Sequence, residues 1–278
     1  MRIILFILVA TILSCKSSPL TKAQEKLKKD AITLNSLTNV NDQVYDKISP
    51  FEIIMIGEMH GTNEPAAFAY GLCNLISQHE AQVIMAMEIS PTQMKSYHDS
   101  MTLDQLKELP FFESENYSGM NGQAWLDLIL HCNQNKNIII QFFDYQRDSP
   151  RDSSMYNAIY DISNTYPDTK IVTLSGNLHN RLEPYREKLM LGGYLMNDTI
   201  NFNRDKIMSV MHFFNFGTMQ NNMGNGLELK TIESKDNIFN KTLSENMFFC
   251  ENIFDNQKHF THILYTNEVT HSELIAKN

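Results

Sequence analysis

Four short apolar runs limit the folds that this chain can adopt more than any other feature of the sequence. Each run ends in a glycine or an acidic residue, and long helical patterns separate the runs. The runs predict buried strands at 53–57, 83–88, 138–144 and 170–176. Amphipathic spacing predicts helices at 64–79, 91–109, 122–135 and 152–165. Weaker strand patterns follow at 206–212 and 262–265. Strands that alternate with helices favour an α/β fold, with a mainly parallel sheet and helices on both faces.

The first fifteen residues have the features of an export signal. One arginine, Arg2, precedes an apolar stretch at 3–13 that is too short for an ordinary membrane-spanning helix. The stretch ends in Ile12-Leu13-Ser14-Cys15, which resembles a bacterial lipobox. The resemblance implies cleavage before Cys15, lipidation of that cysteine, and anchoring of an exported protein to a membrane of the bacterial cell envelope. The alternative is an ordinary signal peptide with a chance cysteine.

No linker divides the remainder of the chain into two globular parts. We therefore predict a signal peptide at 1–15, a tether and N-terminal helix at 16–50, and a single α/β domain at 51–278. The formal net charge is −9, which argues against a nucleic-acid partner. Cys73, Cys132 and Cys250 are too few and too widely spaced for a disulfide framework or a CxxC metal site.

The segment that follows the first predicted strand is rich in groups that carry chemistry. Gly57 allows a sharp turn or a close approach to a ligand. Glu58 and His60 are two residues apart, so they share a side of an extended chain. Glu64 falls in the first turn of the next predicted helix, where a carboxylate is stabilised. These groups predict one crevice that contains two carboxylates and an imidazole.

A second segment, after the fourth predicted strand, repeats this pattern. Gly176 and His179 have the same Gly-x-x-His spacing as Gly57 and His60. An α/β sheet binds ligands beyond the carboxyl ends of its strands, so we expect the two histidines to meet there. Glu88, at the end of the second strand, is expected to face the same crevice.

This set of side chains supports two chemistries. Glu58, His60, Glu64, Glu88 and His179 are the candidate catalytic residues, with a histidine that abstracts a proton from water. Alternatively, Glu58, His60 and His179 ligate a divalent metal that activates water, and zinc, manganese, iron and cobalt all suit such ligands. For Asp144, Arg147 and Arg181, which also follow strands, an ordinary structural role is favoured.

The two Gly-x-x-His motifs and Glu88 resemble the superfamily of erythromycin esterases, ChaN-like haem-binding lipoproteins and Tiki/TraB proteins. Gly57 to His60 is similar to the motif of Tiki-type metalloproteases. The Gly-Glu-x-His opening and the lipobox are similar to the ChaN-like branch, and Glu58, His60 and Glu64 follow the order found in erythromycin esterases. Those esterases usually have one more residue between the glutamate and the histidine.

The resemblance implies a cell-envelope hydrolase acting on a small molecule or a peptide, with a Glu/His site in which water is activated by a histidine and carboxylate or by a divalent metal. The second hypothesis is a lipoprotein that captures haem or a metal for uptake without turnover. The third is an inactive member that keeps the fold for partner binding. The residues do not identify a haem ligand, a substrate or an oligomeric state.

Overall fold

The computed structural model describes residues 21–114, 118–145, 150–222, 226–234, 238–239 and 242–276. Four strands form the centre of the fold: β2 (Ile53–Glu58), β3 (Val83–Met87), β4 (Ile138–Phe142) and β5 (Lys170–Gly176). They are the four strands that the apolar runs predict. Every residue of β2 and β3 is buried, as expected for strands that are covered on both faces.

Five further strands complete the sheet within the described residues. They are β1 (Ile32–Thr33), β6 (Ile207–Asn222), β7 (Leu227–Glu233), β8 (Met247–Glu251) and β9 (His262–Val269). The strand order is β1-β8-β9-β6-β2-β5-β3-β4, and β7 pairs with β6 outside this path. The pairs along β9-β6-β2-β5-β3-β4 are all parallel, whereas β1, β7 and β8 pair antiparallel.

Helices cover both faces of this sheet. On one face lie α2 (Asp42–Ile48), α3 (Glu64–His79), α4 (Leu103–Lys107), α5 (Pro110–Glu113) and α6 (Gln123–Asn133). On the other face lie α7 (Arg151–Thr165) and α8 (Leu191–Asn197). The helix α1 (Lys22–Asp30) packs near β8.

Alternate residues of each central strand point to opposite faces of the sheet and pack against different helices. Ile54 and Ile56 of β2 pack among the residues of α3 and α6, whereas Ile53 and Met55 pack towards α7 and α8. Each fully buried aliphatic side chain of this kind contributes roughly 1.5–3 kcal/mol of transfer free energy. The predicted α/β class, with a mainly parallel sheet between two helical layers, is confirmed.

One predicted helix is broken up, and the later strands are longer than expected. The pattern at 91–109 forms turns followed by α4, which begins at a capping box between Thr102 and Gln105. Pro91 starts the turns and Pro110 starts α5, so the stretch cannot continue as one helix. Strand β6 extends well past the predicted 206–212 because its second half pairs with β7.

The predicted lipidation site Cys15 lies outside the described residues, so the signal and its anchor stay predictions. From residue 21 onward, the predicted tether region contains α1, β1 and α2. None of the helices in the described part of the chain is long and apolar enough to span a membrane.

Candidate active site

Both Gly-x-x-His segments leave the same edge of the sheet, because β2 and β5 are adjacent and parallel. In the register of this pair, Glu58 lies opposite Gly176. The parallel strand β3 lies on the other side of β5 and ends immediately before Glu88. Parallel neighbours place their carboxyl ends together, so three chain segments deliver acidic and imidazole groups to one place.

Glu58 and His60 form a close pair at the end of β2. Nδ1 of His60 lies 2.5 Å from Oε1 of Glu58, and Nε1 of Trp125 donates to Oε2 of the same carboxylate over 3.1 Å. The carboxylate is fully buried, whereas the imidazole keeps 28% of its side chain exposed. Burial lowers the pKa of His60, but the hydrogen bond and charge of Glu58 outweigh it and raise that pKa overall.

Gly176 is the point at which the two histidines approach each other. A Cβ atom at this position would lie 3.0 Å from Nε2 of His60 and 3.7 Å from Cδ2 of His179. A side chain here would displace the imidazole of His60, so the absence of Cβ is what leaves room for that ring. The Nε2 atom of His60 therefore faces the backbone at the end of β5.

Glu88 is a buried carboxylate that joins Gly176, Arg151 and His179. Its Oε2 accepts the backbone N–H of Gly176 over 2.6 Å, and its Oε1 accepts from Arg151 over 2.5 Å. Nε2 of His179 lies 3.4 Å from the same Oε1. Burial raises the pKa of Glu88, but His179, His60 and Arg151 together hold it at about 2, so this carboxyl is ionised at neutral pH.

His179 is held between two carboxylates. Its Nδ1 lies 2.6 Å from Oδ1 of Asp152, which also accepts the backbone N–H of Leu191 over 2.8 Å. Burial lowers the pKa of His179, but the hydrogen bonds and charges of Asp152 and Glu88 raise it to about 9. His179 is therefore an imidazolium at neutral pH.

Arg151 joins Glu88 to Asp144, the residue that follows β4. Its Nε and Nη2 donate to the two oxygens of Asp144 over 3.0 and 2.8 Å, a bidentate pair. Four carboxylates face one guanidinium and two imidazoles, which leaves an excess of one negative charge when both imidazoles are protonated.

Glu64 is turned towards another part of the chain. Its Oε1 accepts from the backbone N–H and the hydroxyl of Thr270 over 2.8 and 2.7 Å. Its Oε2 is buried without a hydrogen-bond partner among the described residues. Burial raises the pKa of Glu64 despite these bonds. Glu64 therefore ties the start of α3 to the segment after β9, while Glu58, His60, Glu88 and His179 are brought together.

The loop that contains His60 is fixed by contacts on both sides. Gly61 has φ +88°, and a Cβ there would lie 2.0 Å from the carbonyl oxygen of Gln220. The carbonyl of Gly61 accepts the backbone N–H groups of Gln220 and Ser272 over 3.2 and 2.9 Å. Only glycine tolerates this combination of backbone angle and crowding, which explains the glycine that follows His60.

Three residues of the site had no motif in the sequence: Trp125, Arg151 and Asp152. Trp125 is 67 residues from Glu58, and Arg151 is 63 residues from Glu88. Asp152 carried one signal, an acidic group at the start of the predicted helix 152–165, which is equally typical of any helix start. Arg181 stacks over the ring of Tyr185 at 5.4 Å, and Arg147 lies outside the described residues.

Of the three predicted metal ligands, Glu58 is already engaged, because both of its oxygens accept N–H groups. The Nδ1 atom of each histidine is engaged by a carboxylate, so Nε2 is the nitrogen of His60 and of His179 that would ligate a metal. The described ranges contain no group of three or more His, Cys, Asp or Glu residues placed to hold a metal ion. The metal site stays a prediction from the sequence.

Comparison with solved structures identifies the fold. A Bacillus cereus protein has a TM-score of 0.71 at 11% identity, with 93% of this chain and 100% of that chain covered. A succinoglycan biosynthesis protein also has a TM-score of 0.71 at 11% identity, covering 91% and 98%. An erythromycin esterase mutant in its open conformation has a TM-score of 0.62 at 9% identity, covering 89% and 100%.

No protein-family model and no curated protein sequence matches the chain. The likeness therefore rests on three-dimensional structure, and it shows that the chain has an erythromycin-esterase-like α/β fold. At this level of identity the likeness concerns the fold alone.

Proposed function

We propose that the protein is a hydrolase in which His60, oriented by Glu58, activates water for attack on an uncharged ester or related carbonyl compound. The observation that carries the proposal is the 2.5 Å Glu58–His60 pair, whose second ring nitrogen faces Gly176 next to the imidazolium of His179. A base held by a carboxylate beside a fixed cation is an arrangement suited to acyl transfer to water.

The reaction follows from the roles of the two histidines. His60, with Nδ1–H donated to Glu58, takes a proton from water at Nε2, while the water oxygen bonds to the carbonyl carbon. The carbonyl oxygen becomes an oxyanion that the charge of His179 stabilises. As the intermediate collapses, the imidazolium of His60 returns the proton to the departing alkoxide, so the products are an acid and an alcohol.

The charges of the site favour an uncharged substrate over an anionic one. Arg151, which could otherwise bind an anion, donates through Nε and Nη2 to Glu88 and Asp144, and its Nη1 lies 3.4 Å from Nε2 of His179. The four carboxylates also exceed the cationic groups, so a phosphate or sulfate ester would be repelled. The erythromycin-esterase-like fold is consistent with hydrolysis but does not select a substrate.

The predicted export signal and lipid anchor at Cys15 belong to the same proposal and would place the hydrolase in the bacterial cell envelope. Capture of haem or a metal without turnover is the alternative. A shifted Soret band on addition of haemin would favour haem capture. Stoichiometric metal that is lost in both His60→Ala and His179→Ala would favour a joined metal site.

The test is a screen of uncharged p-nitrophenyl and alkyl esters with the wild-type protein and with His60→Ala. His79→Ala is the matched control, because His79 is an imidazole that also contacts a carboxylate, Asp42, but lies at the end of α3. The proposal expects turnover that His60→Ala loses and His79→Ala retains. Equal turnover in the two variants would contradict it.

A further inference from the structure

A second cleft lies between helices α3 and α6, outside the group of residues that form the candidate active site. Its volume is about 500 Å³, within the range of small-molecule sites. The residues that line it come from five parts of the chain: position 38, the stretch 63–70 that contains the start of α3, the stretch 123–131 of α6, position 218 of β6, and the segment 270–273 after β9. None of them contacts His60 or His179 in the hydrogen bonds of the site.

The floor of the cleft exists because small residues face each other across the two helices. Ala66 and Ala67 on α3 lie opposite Ala124 on α6, with Leu128 one turn further along α6. Short side chains leave a groove that larger ones would fill. The floor is therefore apolar and suits a hydrocarbon or ring portion of a ligand.

An aromatic wall stands at one side of this floor. The rings of Tyr70 and His131 lie 4.9 Å apart between centroids and are tilted by 31°. A tyrosine ring presents a negative face, which attracts an organic cation within about 6 Å of the ring centre. The wall therefore offers a surface for an apolar body and for a positive charge.

The charged groups of the lining are of one sign. Asp127 and Glu273 are its carboxylates, and no lysine or arginine occurs among the described residues that line the cleft. Asp127 is half-buried and accepts from the side chain of Gln123 through Oδ1 over 2.7 Å, which fixes its orientation and leaves Oδ2 for a ligand. His131 and His271 are the other titratable groups besides Tyr70, and His271 is hydrogen-bonded to Thr218.

We propose that this cleft binds a small organic cation, an ammonium group attached to an apolar or aromatic body, at a site separate from His60. The body lies on the alanine floor against Tyr70, and the ammonium group is balanced by Asp127 and Glu273. The proposal is independent of the hydrolase assignment, because its test measures binding and not turnover.

The test compares three probes of similar size and different charge: benzylamine, benzyl alcohol and benzoate. Binding to the protein at pH 7 is followed by calorimetry and by the fluorescence of Trp125, the single tryptophan, which is adjacent to Ala124 of the lining. Benzylamine is expected to bind more tightly than the other two by about fivefold or more, with affinity that falls as salt is added.

Two variants distinguish the effect of the cleft's charge on binding from the effect of its shape. Asp127→Asn keeps an oxygen that can accept from Gln123, and it should weaken benzylamine binding by about fivefold. Ala67→Leu keeps the charge and should abolish binding by filling the floor. Asp161→Asn, an exposed acid of α7 on the opposite face of the sheet, is the control and should leave binding unchanged.

Two results would overturn the proposal. The first is equal binding of the three probes, or no binding of any of them at about 10 mM, a concentration at which millimolar fragment affinities are detected. The second is benzylamine affinity that Asp127→Asn and Ala67→Leu leave unchanged while both variants keep the circular dichroism of the wild type.

Discussion

Nδ1 of His60 and Oε1 of Glu58 lie 2.5 Å apart across a separation of only two residues, at the point where β2 ends. The carboxylate is buried and also accepts from Trp125, while the imidazole is partly exposed. Glu58 is thus fixed from two sides, and it fixes one ring nitrogen of His60. The other nitrogen is left for chemistry beside Gly176.

Glu58→Gln should remove the charge that raises the pKa of His60 while keeping a side chain of the same shape. We expect the pKa of His60 to fall in this variant, because burial, which lowers it, is then opposed only by the more distant charge of Glu88 and no longer by Glu58. Ester turnover should fall by about 10²–10⁴-fold at neutral pH. Histidine ring resonances followed by NMR against pH give the pKa directly. An unchanged titration of His60 would show that Glu58 does not control it.

Gly176→Ala should remove activity with little loss of stability. The added methyl group lies 3.0 Å from Nε2 of His60, so the ring must turn away from its position beside β5. Gly193→Ala is the matched control, since its methyl group meets a flexible Leu189 side chain at 3.1 Å. Rates and urea unfolding curves of both variants are compared. Full activity in Gly176→Ala would mean that the position of Nε2 is not used.

Asp152→Asn should reduce the stability that the protein loses as the pH becomes alkaline. The pKa of His179 is about 9 in the folded protein, above its ordinary value, so its stabilisation is complete below about pH 6.5. This stabilisation is lost as pH rises through about 9, and the free energy of unfolding falls by at most about 3 kcal/mol as a result. The variant lowers this pKa, so the loss should shrink.

Urea unfolding of the wild type and of Asp152→Asn at pH 6 and pH 9 measures this difference. The introduced amide keeps an oxygen that can accept the backbone N–H of Leu191, so the fold of this region should persist. Asp161→Asn again serves as the control. If both variants lose the same stability between pH 6 and pH 9 as the wild type, the ion pair of His179 with Asp152 is not the cause.

Arg151→Met should destabilise the protein and make it more sensitive to acid. The change leaves the buried carboxylates of Glu88 and Asp144 without their guanidinium. We expect a cost of about 2–3 kcal/mol, less than for a fully buried pair, because Arg151 itself is 42% exposed. The pKa of Glu88, about 2 in the wild type, should rise.

The pH dependence follows from the sign of that shift. In the wild type, the stabilisation from ionised Glu88 is complete above about pH 4.5 and is lost as pH falls towards 2. In Arg151→Met the loss should begin at a higher pH. Acid unfolding followed by circular dichroism measures it, with Arg186→Met as a control outside the site. Identical acid transitions would contradict the role given to Arg151.

Local patterns in the sequence were sufficient for the parallel core and for the meeting of the two Gly-x-x-His segments. Runs such as 53–57 and 170–176 are apolar throughout most of their length, which strands covered on both faces require. Once those strands are parallel, their ends meet at one edge, and Glu58 falls opposite Gly176.

The sequence alone does not predict which side chains from distant parts of the chain meet at the site. Arg151 and Trp125 reach the site from helices that are distant in the chain, and neither helix carries a pattern that distinguishes the residue from an ordinary surface or core position. Glu64 lies close to His60 in sequence, yet its carboxylate turns to Thr270, 206 residues away. The sequence pattern does not predict strand β7, because its residues are mostly exposed and lack an apolar run.

The dependence of kcat/KM on pH, measured on an uncharged ester, is the decisive test of whether His60 is the base and His179 the fixed cation. We expect kcat/KM to rise with pH as His60 loses its proton, through a pKa above its ordinary value, and to fall near pH 9 as His179 loses its proton. Glu58→Gln should move the rising limb to lower pH, and Asp152→Asn should move the falling limb to lower pH. A flat profile between pH 6 and 10, or limbs that neither variant moves, would contradict the assignment of His60 as the base and His179 as the fixed cation.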